Sequence, residues 1–312
     1  MSSLIKEKFG VDRFERQKAV FFKKYGWQFM PFAQKDPLPD PRLLVPRQVD
    51  EVQKLIDAVK EGDLVSFVVS DIGMGKTALC KFLAEALPAE DPPKIATVFL
   101  HCSSIETPEQ VLRSILSRLE LQPKENDIAA QFEQLYRWHE KYPDLLLTII
   151  FDEFPDLNES ALNVVRTIAD LRGVVLILNG QKRELLKFVE QHSPALLQRK
   201  RLILELKPLD SAEVEELLAL RMAWARGGEF DDLTLGPFTK LAVLEIHKRS
   251  KGIPREVLKL AGDATYLAIE QGSSKITHQM IRKLARARIG RRAKLKKVGP
   301  KGGFLKFLGL RR

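Results

Sequence analysis

Residues 70–77 read Ser70-Asp71-Ile72-Gly73-Met74-Gly75-Lys76-Thr77, at the end of the apolar run Leu64–Ser70 and at the start of a helical pattern. Two glycines in a strand-to-helix turn let the backbone fold so that successive N–H groups point inward. The helix N-terminus adds its own partial positive charge. Such a loop cradles phosphate oxygens. The stretch Asp71, Ile72, Gly73, Met74, Gly75, Lys76, Thr77 and Ala78 is therefore the candidate nucleotide-binding loop, with Lys76 between the β- and γ-phosphates and the Thr77 hydroxyl on Mg²⁺. The first glycine of the usual pattern is Ser70 here, a position that serine fills when its φ is negative.

Downstream, Leu145-Leu146-Leu147-Thr148-Ile149-Ile150-Phe151 ends in Asp152-Glu153. Two carboxylates at the C-terminal end of a buried strand lie where ligands bind in open α/β sheets. Asp152 is the candidate second holder of Mg²⁺, through water, and Glu153 the group that orients the attacking water. Phosphoryl transfer asks for this kind of positioning and charge stabilisation rather than covalent chemistry.

Around these two sites, the runs Leu64–Ser70, Ile95–His101, Leu145–Phe151 and Val174–Asn179 alternate with amphipathic stretches, and Arg201–Leu206 supplies a fifth. The runs are apolar almost throughout, as parallel strands covered on both faces are. The expected fold is α/β: a P-loop parallel-sheet domain over 41–209, then a small all-helical lid over 210–290. Val49, Val52, Leu55, Ile56 and Val59 share one face of a helix in 47–60. In the lid, Ser211 is expected to head a capping box, with breaks at Gly227-Gly228, Gly236-Pro237 and Gly252–Pro254. Residues 1–40, rich in aromatics and then in proline (Pro37, Pro39, Pro41), read as a lead-in to the sheet domain.

The chain has 312 residues and a formal net charge of +10, yet Ile281–Arg312 carries 13 Lys and Arg and no acid, which leaves 38 basic against 41 acidic residues before it. A domain that bound nucleic acid with its body would carry its basic residues there. No window holds the roughly 18 apolar residues of a membrane span, and the first thirty residues have no signal-like apolar stretch. Cys80 and Cys102 lack partners at metal-ligand spacing and read as buried thiols in a reducing compartment. The expected location is the cytoplasm.

The order of motifs resembles AAA+ ATPases of the branch that contains origin-recognition initiators, transposition regulators of the MuB and TnsC kind and ExeA-like secretion ATPases. The ExeA-like pattern is the nearest, over roughly residues 25–285. Beside the two sites above, the resemblance is carried by Tyr25-Gly26-Trp27 with Pro31-Phe32, Pro39-Asp40-Pro41-Arg42, Leu178-Asn179-Gly180-Gln181, Leu197-Gln198-Arg199, Pro208-Leu209 and Gly252-Ile253-Pro254-Arg255. It implies ATP and Mg²⁺ as cofactors, slow, partner-stimulated hydrolysis and assembly into homo-oligomers. It implies that Asn179 senses the γ-phosphate, where the alternative is a strand-end residue capping a turn. It places Pro254 and Arg255 over the phosphates, against a surface arginine as the alternative. Arg199 falls where such proteins present an arginine to the next subunit, or it belongs to a cluster of surface cations with Lys200 and Arg201. Val45-Pro46-Arg47 resembles the segment that packs on adenine, or is an ordinary extended entry. About 22 residues follow the lid, too few for the winged-helix domain of the initiators, so a sequence-reading initiator is not expected.

The end of the chain, 291–312, has a Gly/Pro/Lys spacer and then Phe304-Leu305-Lys306-Phe307-Leu308, similar to the terminal membrane helix of MinD-type ATPases. A basic end without a specific role, attachment to an anionic membrane, and docking in a protein groove or on DNA are its three readings. The protein partner stays unidentified. The function that follows is a molecular switch that remodels or regulates a macromolecular assembly, with a DNA-associated regulator as the rival.

Overall fold

The computed structural model describes residues 11–33, 36–62, 64–89, 94–123, 127–228 and 230–297. Two compact units divide the chain: Gln34–Leu209 with Ile253–Arg255, and Met1–Ala33 with Asp210–Gly252 and Glu256–Arg312.

The first unit is built on a five-stranded parallel sheet: β1 (Val65–Ser70), β2 (Ile95–His101), β3 (Leu146–Asp152), β4 (Val174–Gln181) and β5 (Lys200–Glu205). Its order is β2-β3-β4-β1-β5, which places β1 between β4 and β5. Crossover connections of this kind need helices. They are α3 (Lys76–Ala86), α4 (Pro108–Arg118), α5 (Ile128–Lys141), α6 (Leu162–Ala169), α7 (Lys182–His192) and α8 (Pro194–Gln198); α2 (Val49–Lys60) precedes β1, and α1 (Val11–Tyr25) belongs to the other unit.

The unbroken apolar strands are explained by two cores. Val65, Phe67, Val69, Leu147, Ile149, Phe151, Leu176 and Leu178 pack on one face of the sheet with Leu112, Ile115 and Val165. Val68, Ile150, Val175 and Ile177 pack on the other with Leu55, Val59, Leu79, Cys80 and Leu83 of α2 and α3. Strand alternation therefore puts Asp152, which follows Ile150 by two, and Asn179, which follows Ile177 by two, on the α3 face. The glycine loop leads into that same helix.

The second unit is helical: α1 (Val11–Tyr25), α9 (Ser211–Ala225), α10 (Lys240–Ser250), α11 (Pro254–Glu270, past its first turn) and α12 (His278–Lys297). The aromatic N-terminal stretch belongs to this core rather than to a lead-in of its own. Trp27 is 4% exposed and ringed by Phe21, Phe22, Tyr25 and Phe32. Phe29 meets Trp224 with centroids 4.4 Å apart, Phe32 meets Phe238, and Gln28 N–H donates to the Ala225 carbonyl at 2.8 Å. The cluster closes on itself around Trp27, and its outer rings, Phe29 and Phe32, pack against Trp224 and Phe238 of the helical unit.

Two details differ from the sequence reading. The cap of α9 is Asp210, not Ser211: its carboxylate accepts from Ala212 and Glu213 N–H, and Glu213 returns a bond to Asp210 N–H. The box needs a Glu or Gln three residues on, and the residue at that distance from Ser211 is Val214. The last helix also runs through Gly290 to Lys297, because a single glycine costs a helix only about 1 kcal/mol. The amphipathic end proposed at 304–310 lies outside the described residues.

Candidate nucleotide site

At the C-terminal edge of the sheet the glycine loop, β3 and β4 converge. Gly73 and Gly75 have φ of 82° and 88°, the left-handed conformation that side chains resist. Lys76 Nζ donates to Ser70 O (3.3 Å), Ser70 Oγ (3.2 Å) and Asp71 O (3.2 Å), folding across the loop that precedes it. Burial pushes its pKa down, opposed by the charges of Asp152 and Glu153.

Asp152 is 1% exposed, and both of its oxygens are engaged. Thr77 Oγ1 donates to Oδ1 at 2.9 Å and lies 3.2 Å from Oδ2; Asn179 Nδ2 donates to Oδ1; His101 Nδ1 stands 2.9 Å from Oδ2. Register explains the two neighbours from strands. Phe151 pairs with Leu178, which sets Asp152 beside Asn179, and Asp152 itself pairs with His101. Burial raises the Asp152 pKa, while Thr77, His101, Asn179 and Lys76 pull it back. The Asn179 Oδ1 atom is buried without a hydrogen-bond partner. A hydroxyl, a buried carboxylate and an unpaired buried amide oxygen together make a donor set that suits a hard, oxygen-seeking cation held partly by phosphate and water. Thr77 and Asp152 would hold Mg²⁺, whose chemistry would be to neutralise charge on the phosphates.

Glu153, exposed, has φ of 56°. An L-residue in that conformation costs about 1 kcal/mol or more. The turn lifts its carboxylate out of the strand alternation that buries Asp152.

Ile253 and Arg255, on either side of Pro254, come to the glycine loop. Arg255 N–H donates to the Gly73 carbonyl at 3.2 Å, and a Cβ on Gly73 would stand 3.0 Å from Arg255 Cβ and 3.3 Å from Ile253 Cγ2. Before α2, Val45 is buried and Pro46 exposed. Arg47 donates to the carbonyls of Met74 and, at 3.0 Å, Lys207, tying the loop to the chain that leaves β5. Arg199 is not brought to this site within one chain. It pairs with Asp170 at the end of α6, beside the start of β5, where Lys200 pairs with Val65 at the opposite end of β1 from the glycine loop. Cys80, free and buried, accepts from Asn179 at 3.4 Å, and burial pushes its thiol up to about 12.

Two contacts were not foreseen: the task of Arg47, and His101. The only sequence signal for His101 is that the β2 run ends on a polar residue; its value depends on register with β3, which no local pattern encodes.

Residues 49–189, a little under half of the chain, match the AAA domain family. No curated protein matches the sequence. Among solved structures, the ORC2 protein of Aeropyrum pernix in ADPNP and ADP complexes is similar at TM-score 0.64 and 15% identity, over 82% of this chain and 71% of that one. The Aeropyrum pernix ORC1 protein in complex with DNA aligns at TM-score 0.59 and 18% identity, over 81% and 68%. A RuvB of Thermotoga maritima aligns at TM-score 0.52 and 18% identity, over 80% and 73%.

Proposed function

We propose that this chain, of the AAA+ P-loop class by its fold and its AAA domain, is an ATP-driven switch that binds Mg-ATP at the Lys76–Asp152 site and hydrolyses it. The observation that carries the reading is the meeting of the P-loop hydroxyl and the buried Asp152 carboxylate at 2.9 Å, with the unpaired Asn179 oxygen beside them. In one chain, backbone N–H groups from Asp71 to Ala78 and Lys76 bind the phosphates. Thr77 and Asp152 hold the cation. Glu153 orients the attacking water and takes its proton, and Asn179 reads the γ-phosphate. Arg255 closes on the phosphates from above Gly73.

Oligomerisation is the second part of the reading. Transition-state charge on the phosphoryl oxygens asks for rigid cations; Arg255 is one from the same chain, and Arg199, which sits away from its own site, is assigned to the site of a neighbouring copy. The work done is regulation or remodelling of a macromolecular assembly. The basic stretch 281–312 gives the switch an anion-directed arm; no helix among the described residues is long and apolar enough to cross a membrane. An ExeA-like role at an anionic membrane surface and a DNA-associated role are its two outlets. The DNA-associated role is supported by the likeness to a protein solved in complex with DNA. Co-sedimentation with anionic vesicles against retention on duplex DNA, for the full chain, separates them.

Two variants test the chemistry. Lys76→Ala is expected to abolish nucleotide binding, and an affinity within twofold of the wild type by calorimetry would overturn the site. Glu153→Gln is expected to keep binding while turnover falls by about 10²-fold or more, the scale of a lost proton acceptor. Unchanged phosphate release would remove Glu153 from that role.

A further inference from the structure

Three side chains hold the Asp152 carboxylate, and two of them, Thr77 and Asn179, already have tasks at the nucleotide. The third is His101, the last residue of β2. We propose that His101 is a positioning residue for the Mg²⁺ site, fixing Asp152 Oδ2 so that the carboxylate keeps one orientation toward the cation; this rests on the nucleotide-site reading above.

The geometry gives each oxygen a keeper. Oδ1 accepts from Asn179 Nδ2 and from Thr77 Oγ1, and the Thr77 hydroxyl spends its proton there while its lone pairs stay free for a metal. Oδ2 lies 2.9 Å from His101 Nδ1, and its other near neighbour is the same Thr77 oxygen at 3.2 Å. Without the imidazole the carboxylate could rotate about its terminal torsion, which is broad and two-fold in energy. With it, both oxygens are fixed from different elements of the fold. The imidazole is itself constrained. His101 pairs with Asp152 in the parallel ladder, and its ring stands edge-on to Phe99, centroids 5.2 Å apart at 90°. It also bridges two environments: Asp152 is 1% exposed, whereas the His101 side chain is 48% exposed. It is thus the holder of Asp152 that reaches the solvent side of the site. Residues that orient a metal-holding carboxylate typically change metal affinity by about 10–100-fold when removed.

The expected signature is a loss of Mg²⁺ affinity that leaves nucleotide binding itself in place. The measurement uses the full chain and a fluorescent ATP analogue, with binding followed as Mg²⁺ is titrated and again in chelator. His101→Ala is expected to raise the Mg²⁺ concentration at half-saturation about tenfold, with Mg-free nucleotide affinity within twofold of the wild type. His101→Asn is expected to restore the wild-type value, because Asn Nδ2 stands two bonds from Cβ, as His Nδ1 does. His101→Gln carries its amide one methylene further out and is expected to behave like the alanine variant. The Asn–Gln comparison decides the matter even if the alanine variant does not fold. The proposal is overturned if alanine or glutamine leaves half-saturation within twofold of the wild type, or if asparagine binds Mg²⁺ as weakly as glutamine. A wild-type protein that binds the analogue without any Mg²⁺ dependence would instead overturn the metal site, and this inference with it.

Discussion

Asp152 is a residue whose burial costs the nucleotide-free protein stability and whose proposed role would serve the loaded one. Burial raises its pKa from the ordinary 3.8, so the folded protein holds a proton there more tightly than the unfolded chain does. The stability from this group is complete below 3.8 and is lost as pH rises through the raised value. Once ionised, the carboxylate therefore destabilises the nucleotide-free fold, and the cation proposed above would offset it. Asp152→Asn is expected to raise the melting temperature of the nucleotide-free protein, with a gain that shrinks as pH is lowered. The extra stabilisation from Mg²⁺ with nucleotide should disappear in the same variant. Scanning calorimetry across pH, with and without Mg-ADP, reads both effects, and a lower melting temperature without nucleotide would contradict the account. The sequence made Asp152 legible as the acid ending an apolar strand; the three donors around it came from β2, β4 and α3.

At the level of elements, two glycines make opposite demands. Gly73 turns the loop ahead of α3 at φ 82°, with Arg255 and Ile253 packed where a Cβ would go. Gly73→Ala is expected to cost about 1–3 kcal/mol of stability and to weaken nucleotide binding, since the loop cannot keep its N–H groups inward. Gly262, in the middle of α11, has an ordinary helical backbone, and an added Cβ would stand 3.6 Å from Phe32 Cβ, a normal contact. Gly262→Ala is expected to stabilise by about 0.5–1 kcal/mol. Urea denaturation separates the two, and equal effects of the same sign would refute the distinction. The same helical unit depends on α1 and the segment after it. Trp27→Ala is expected to cost about 3–5 kcal/mol, as for other buried aromatics; a loss below about 1 kcal/mol in urea melts would return residues 11–33 to the status of a lead-in. Periodicity marked the helices of this unit, but nothing local said which core the N-terminal rings join.

For the whole molecule, the proposal turns on a cation that a neighbouring copy would bring to the phosphates. Arg199 rests on Asp170 in its own chain. An exchange of that ion pair for a neighbour's nucleotide would tie turnover to assembly. Arg199→Ala is expected to leave nucleotide affinity unchanged and to lower turnover by about 10³-fold or more, as loss of a transition-state cation does. Mixtures with Lys76→Ala should regain part of the activity, because each variant supplies what the other lacks at shared interfaces. Additive or lower activity at every ratio would confine Arg199 to its pair with Asp170.

The sequence by itself determined the parts whose signals are local. The glycine loop, the acid-terminated strand and the apolar runs each depend on residues a few positions apart, so the α/β class, all five strands and the positions of Lys76, Thr77 and Asp152 could be read from it. The tertiary structure alone decided which strands neighbour one another, and hence that His101 and Asn179 meet one carboxylate. It also decided that the aromatic N-terminus joins the helical core, that Arg255 closes on Gly73 and that Arg199 stays away. Each of these is a contact between residues far apart in the chain, fixed by strand register and by the burial of surfaces that no single segment can bury alone.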